Sequence, residues 1–351
     1  MTLSLPRPRP NVAALPTYSR AVSAPVRFRA GSNESPFGPG PAVVRAMRQA
    51  CADPHLYPTL TGDLLAAALE SHLDLPPEQI LVGGGSLALL QHALTSFAGP
   101  GDEVVHAWRS YEAYPIVIGV AGATSVKVPL DNMARHDVDA MLTAITPRTR
   151  VVIICNPNNP TGTALEPDEL ERLVAGIPSD VLVLLDEAYR EFDPQAVETL
   201  PWLTRLPNLV ILRTFSKAYG LAGLRAGYAV GTQQVLDTIR KVTPPFGLNR
   251  VAEAAAVVAL SERDHLAHTV SAVRAGRDRV RAELARMGIW TPASAANYIW
   301  LPCATQVDDL AHACAAAGVG VRAFAGEGVR FTVGTSGAEQ EFLAAARSLI
   351  M

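Results

Sequence analysis

Short runs of Val, Ile and Leu recur through the first two-thirds of the chain, at Ile80–Val82, Glu103–Ala107, Val151–Cys155, Val181–Leu185, Leu209–Leu212 and Ala226–Val230. Runs that stay apolar at successive positions predict strands buried on both faces. Between them, Ser86–Phe97, Tyr111–Ala121 and Pro167–Ala175 repeat their apolar residues at helical spacing. This alternation predicts an α/β fold, a mostly parallel sheet covered by helices. Beyond about Pro245 the pattern changes. Ala- and Arg-rich helical stretches run from Asn249 to Gly288, followed by an apolar run at Tyr298–Leu301, a helix near Val307–Ala317, a second run at Val329–Val333 and a final helix. That order predicts a smaller α+β domain. The Pro244-Pro245 pair marks the boundary, because a helix does not run easily through consecutive prolines. The expected division is an N-terminal arm with part of the small domain at 1–35, a large domain at 36–245 and the small C-terminal domain at 246–351.

Composition narrows the function classes. Thirty basic and 33 acidic side chains leave a net charge of −3, with no electrostatic footprint for nucleic acid or an anionic membrane. Five arginines between Arg274 and Arg286 crowd one helical stretch, but Asp278 and Glu283 interleave with them, which predicts a solvated face. The apolar runs are far shorter than the roughly 20 residues that cross a bilayer. No signal-peptide core is visible near the N-terminus. The four cysteines (Cys51, Cys155, Cys303 and Cys314) are scattered without a C-x-x-C pair, so reduced thiols and a cytoplasmic location are expected and a metal site is not.

Four loops follow strand-like runs, and in a parallel sheet such loops share the edge where ligands bind. Gly83-Gly84-Gly85-Ser86 leads straight into a helix, a setting that suits a phosphate and equally a tight turn with a serine cap. Asn156 to Gly162 is packed with turn formers. Asp186-Glu187-Ala188-Tyr189 puts a carboxylate at the mouth of a buried strand, where it needs a partner. The fourth loop runs from Thr214 to Arg225 and contains Lys217. Lys127, Lys217 and Lys241 are the only three lysines in the chain. A lysine kept in a Ser/Gly-rich loop of an otherwise Arg-biased chain points to amine chemistry, since a guanidinium cannot act as a Schiff-base nucleophile.

Taken in order, Asn33 to Pro39, Tyr57-Pro58, Gly83 to Ser86, Tyr111, Asn158 to Gly162, Asp186 to Tyr189, Ser216 to Arg225 and Val329 to Gly334 carry a resemblance that covers nearly the whole chain. The sequence resembles the fold-type I, pyridoxal-phosphate-dependent aminotransferases, in the branch that holds the histidinol-phosphate and aromatic amino acid enzymes. Leu87-Ala88 replaces the Asp-Glu usual in the histidinol-phosphate enzymes. With Trp108 to Tyr111, it looks more like the actinobacterial aromatic, or phenylalanine, aminotransferases.

The resemblance implies a role for each residue. Lys217 would hold pyridoxal phosphate covalently and move a proton at the substrate, with Asp186 on the pyridine nitrogen. Asn159 and Tyr189 would bond the phenolic oxygen, and Tyr111 would stack on the ring. Ser216, Arg225 and the backbone at Gly85, Ser86 and Leu87 would hold the phosphate, with Tyr57 reaching in from the second subunit of a homodimer. Arg330 would fork onto the substrate carboxylate, while Tyr18 and Asn33 would contact substrate or pack the arm. The implied activity is exchange of an amino group between phenylalanine or tyrosine and 2-oxoglutarate by a ping-pong mechanism. The alternatives are a histidinol-phosphate aminotransferase, a decarboxylase of the same fold and a non-catalytic cofactor-binding protein.

Overall fold

A computed structural model describes residues 6–18 and 26–349 of the chain. Phe28–Arg29 (β1) is a two-residue strand of the arm. Seven further strands form one sheet: β2 (Ile80–Gly83), β3 (Glu103–Trp108), β4 (Thr124–Pro129), β5 (Thr149–Cys155), β6 (Leu182–Asp186), β7 (Leu209–Thr214) and β8 (Gly227–Gly231). Their spatial order is β2-β8-β7-β6-β5-β3-β4. β8 runs antiparallel to both of its neighbours, and all other pairings are parallel.

The strand pleat sorts side chains onto two faces. In β5, Val152 and Ile154 enter one core, which also takes Val183 and Leu185 of β6. Val151, Ile153 and Cys155 enter the other core with Leu182 and Leu184. Helices cover both faces, which explains why Val151–Cys155 and Leu182–Leu185 are apolar at successive positions. Ser86–Phe97 and Ala113–Ala121 lie on the second face through Leu90, Leu94, Tyr114 and Ile118. Asp63–Leu73, Pro167–Gly176 and Arg250–Ser261 lie on the first.

All six predicted strands lie in this sheet. The seventh, β4, lacks an apolar run because it is an edge strand with Thr124, Lys127 and Pro129 exposed. The helical stretch predicted over 249–288 is two helices, Arg250–Ser261 and Arg263–Arg286, broken at Glu262. The first of them lies C-terminal to Pro245 yet packs into the core of the large sheet.

A third core surrounds β9 (Tyr298–Leu301), β10 (Val319–Gly320), β11 (Arg322–Phe324) and β12 (Gly328–Thr332). β11, β12 and β9 form an antiparallel sheet, while β1 of the arm pairs with β10. The arginine-rich helix is not simply a solvated face. Arg277 is buried and donates to the carbonyls of Phe192 and Ala296, and Arg274 donates to those of Phe192 and Glu191. Those arginines tie the helix to the chain after β6.

Candidate active site

The C-terminal ends of β2, β5, β6 and β7 meet the edge of the three-stranded sheet at a cleft of about 860 Å³. Into it come Lys217, Asp186, Tyr189, Asn159, Tyr111, Ser216, Arg225, Ser86, Leu87, Arg330, Tyr18 and Asn33. Gly85 stands directly before Ser86 at the start of its helix. Lys217 follows β7 by three residues and Asp186 ends β6, so adjacent strands deliver an amine and a carboxylate to one place.

Lys217 Nζ lies 3.3 Å from the carbonyl oxygen of Ser32 and 5.6 Å from the centre of the Tyr189 ring. Burial, helped by the charges of Arg330 and Arg225, lowers its pKa from 10.5 to about 7. Asp186 is buried, and burial raises its pKa while a hydrogen bond from Tyr114 opposes the rise. The Tyr114 hydroxyl donates to Asp186 Oδ2 at 2.7 Å, and the Ala188 N–H approaches Oδ1 at 3.3 Å. A buried carboxylate with so little compensation suits a cationic ligand group.

The opposite end suits an anion. Gly85 opens the helix Ser86–Phe97 with φ +100°. A Cβ at Gly85 would sit 2.4 Å from Arg225 Nη2, so glycine keeps this cradle open. Arg225 adopts a left-handed φ of 62° and donates from Nη1 to Ser216 Oγ at 3.1 Å. The helix N-terminus, the Ser216 hydroxyl and the guanidinium thus converge on one volume.

Arg330 enters from β12. Its Nη1 donates to Asn159 Oδ1 and its Nη2 to the carbonyl of Gly31 at 2.6 Å, while the buried Nε has no partner among the described residues. Tyr189 accepts a hydrogen bond from Asn33 Nδ2 at 2.9 Å. Asn33 exchanges two more with Thr332 Oγ1, each 3.0 Å, so it both lines the cleft and fastens the arm.

The chain from residue 29 to residue 349 matches the family model described as "Aminotransferase class I and II". This chain is a member of that family. Among relatives, it is 45% identical to the aromatic amino acid aminotransferase of Streptomyces avermitilis, over 98% of this chain and 97% of that one. It is 47% identical to the protein of that name from Thermobifida fusca, over 90% and 89% of the two chains. Among solved structures, histidinol-phosphate aminotransferase from Sinorhizobium meliloti, in complex with pyridoxal-5'-phosphate, superposes with a TM-score of 0.90 at 28% identity. That match covers 99% of this chain and 98% of the other. The aspartate aminotransferase of Thermus thermophilus with maleate shares the fold, with a TM-score of 0.80 at 24% identity over 93% and 92% of the chains.

In this aminotransferase one predicted residue stands apart. Tyr57 does not line the cleft of its own chain. It is 78% exposed and stacks on Phe246, with ring centres 4.6 Å apart. Two residues not singled out from the sequence belong to the site. Tyr114 sits in a helix that reads as apolar packing, so nothing in its spacing marks it as the partner of Asp186. Arg322 lines the cleft and binds the Glu112 carboxylate through Nε and Nη2, at 3.1 and 2.8 Å. Its signal was a second arginine in the short stretch before Arg330. No helix among the described residues is long and apolar enough to cross a membrane.

Proposed function

We propose that this aminotransferase uses pyridoxal phosphate to exchange an amino group between an aromatic amino acid and a 2-oxo acid, 2-oxoglutarate in the first instance, by a ping-pong mechanism. The observation that carries the reading is the junction of Lys217, Asp186 and Arg330 in one cleft. The aromatic substrate class rests on the relatives from Streptomyces avermitilis and Thermobifida fusca, which bear that name.

The residues fit the cofactor. A buried carboxylate matches a protonated ring nitrogen, the glycine cradle with Ser216 and Arg225 matches a phosphate, and a near-neutral lysine amine matches an aldehyde. When bound, pyridoxal phosphate supplies a carbonyl that takes up the amino group and a ring that draws electrons from Cα. Lys217, with a pKa of about 7, holds and returns a proton at its Nζ near neutral pH. Asp186 would keep the ring nitrogen charged. Ser216, Arg225 and the N–H groups of Ser86 and Leu87 would hold the phosphate, and Tyr111 would stack on the ring. Asn159 and Tyr189 would bond its phenolic oxygen. Arg330 anchors the carboxylate shared by both substrates, and a planar fork suits that task better than an ammonium.

We also infer a homodimer. Leu56, Tyr57, Leu60, Leu64 and Phe246 expose apolar side chains, and Phe246 N–H binds the Leu60 carbonyl, which brings the two segments into one surface. A second copy would cover it and bring Tyr57 to the neighbouring phosphate site. We infer an arm, a large domain and a small domain, a division supported by the core around β9 to β12, with the helix Arg250–Ser261 belonging to the large domain because it packs into the core of the seven-stranded sheet. Four cysteines without a disulfide are compatible with a cytoplasmic enzyme.

Steady-state kinetics with phenylalanine, tyrosine and histidinol phosphate as donors test the substrate. The expected result is a higher kcat/KM for the aromatic pair. A clear preference for histidinol phosphate would replace this reading with the other.

A further inference from the structure

We propose that Tyr114 is a positioning residue for Asp186, holding its carboxylate ionised and in place for the cationic ring nitrogen of the cofactor. The inference rests on the pyridoxal-phosphate reading above and concerns a residue outside that set.

Asp186 closes β6 and pairs in register with Cys155 of β5. By strand alternation both side chains lie on the face covered by the helix Ala113–Ala121, the face that takes Leu182, Leu184 and Ile153. That helix presents Tyr114, Val117 and Ile118 to this core. A hydroxyl buried among aliphatic side chains is costly unless it is bonded. The Tyr114 hydroxyl lies 2.7 Å from Asp186 Oδ2. Its ring meets Tyr111 edge-on at 5.5 Å and His106 at 6.0 Å, so its direction is fixed from two sides.

The other groups around the carboxylate do not duplicate the contact. Lys217 faces it across the cleft, Glu187 follows it in the chain, and Cys155, Tyr189, Tyr111 and Tyr298 surround it. Among the described residues, only Tyr114 and the Ala188 N–H donate to it. A bond donated to a carboxylate favours its ionised form, so removing the phenol raises the proton affinity of Asp186. A protonated Asp186 cannot pair with a cation, and acid should then release the cofactor at a higher pH.

The test is cofactor retention after dialysis between pH 5 and pH 8, read by absorbance, in the wild type and Tyr114→Phe. The variant should lose pyridoxal phosphate with a midpoint about one pH unit higher, the shift expected from one lost hydrogen bond to a charge. In the Asp186→Asn background the same change should leave the midpoint where it is. An unshifted midpoint, a uniform loss at every pH, or a shift that persists without Asp186 would overturn the proposal. Wild-type protein that retains no pyridoxal phosphate at any pH would overturn the cofactor reading with it, whereas normal retention by both proteins would overturn this inference alone.

Discussion

Arg330, in β12 of the three-stranded sheet, donates from Nη1 to Oδ1 of Asn159, in the loop after β5 of the seven-stranded sheet. One side chain therefore joins the two sheets across the cleft and still presents a buried Nε that has no partner among the described residues. A guanidinium already oriented in this way needs little reordering to grip a carboxylate.

Replacing that fork with a single ammonium tests the anchor. Arg330→Lys should lower kcat/KM for the aromatic donor and the 2-oxo acid acceptor alike, by about 10- to 100-fold, since roughly 1.5 to 3 kcal/mol of charged hydrogen bonding is at risk. Loss for only one of the two substrates would mean that they do not share Arg330.

The depressed pKa of Lys217 has a consequence for stability. Between about pH 7 and pH 10.5 the unfolded chain keeps this amine protonated while the folded chain does not, so stability gained from this group rises with pH. The cost of folding around the amine is fully present below about pH 7. Lys217→Met should therefore stabilise the cofactor-free protein, on the order of a few kcal/mol at pH 6, with the advantage fading towards pH 10.5. Thermal melts of both proteins across that range would show it. A difference independent of pH would contradict the assignment.

Behind Asp186, Glu187 accepts from Arg213 Nε at 2.8 Å and from Thr199 Oγ1 at 2.7 Å, with Glu187 and Arg213 both buried. The pair bolts the end of β6 to the end of β7, the strand that leads to Lys217. Glu187→Gln leaves Arg213 with only the more exposed Glu198 as a charged partner among the described residues, 3.1 Å away. A loss of about 3 kcal/mol in denaturant unfolding is expected. An unchanged unfolding midpoint would mean that Glu198 alone satisfies the arginine.

The buried half of the fold was legible because its strands are covered on both faces and carry unbroken apolar runs. β4 was not legible, since an exposed edge strand needs no such run, and neither were the two-residue strands β1 and β10. The cleft was legible where polar residues stand at strand ends, as with Lys217 and Asp186. It was illegible where a core position reaches a cleft residue from behind. Tyr114 reads as one more aromatic in an apolar helix, and only the fold brings it to Asp186. Arg277 failed in the opposite direction, because alternating charges along a helix do not reveal that carbonyls of Phe192 and Ala296 wait beneath it.

Tyr57 carries the dimer prediction. Mixing Tyr57→Ala chains with Lys217→Ala chains should form some dimers in which one site carries both lesions and the other neither, so activity should reappear above that of either variant alone. Sedimentation of the wild type should give a dimer. A fully active monomer would contradict the shared site.

If Lys217 carries the cofactor, one chemical trap shows it directly. Borohydride reduction of the protein loaded with pyridoxal phosphate, followed by peptide mapping, should find the adduct on Lys217, and Lys217→Arg should give no adduct and no turnover because a guanidinium forms neither the bond nor the proton shuttle. An adduct on Lys127 or Lys241 in its place, or none on the wild type, would contradict the account.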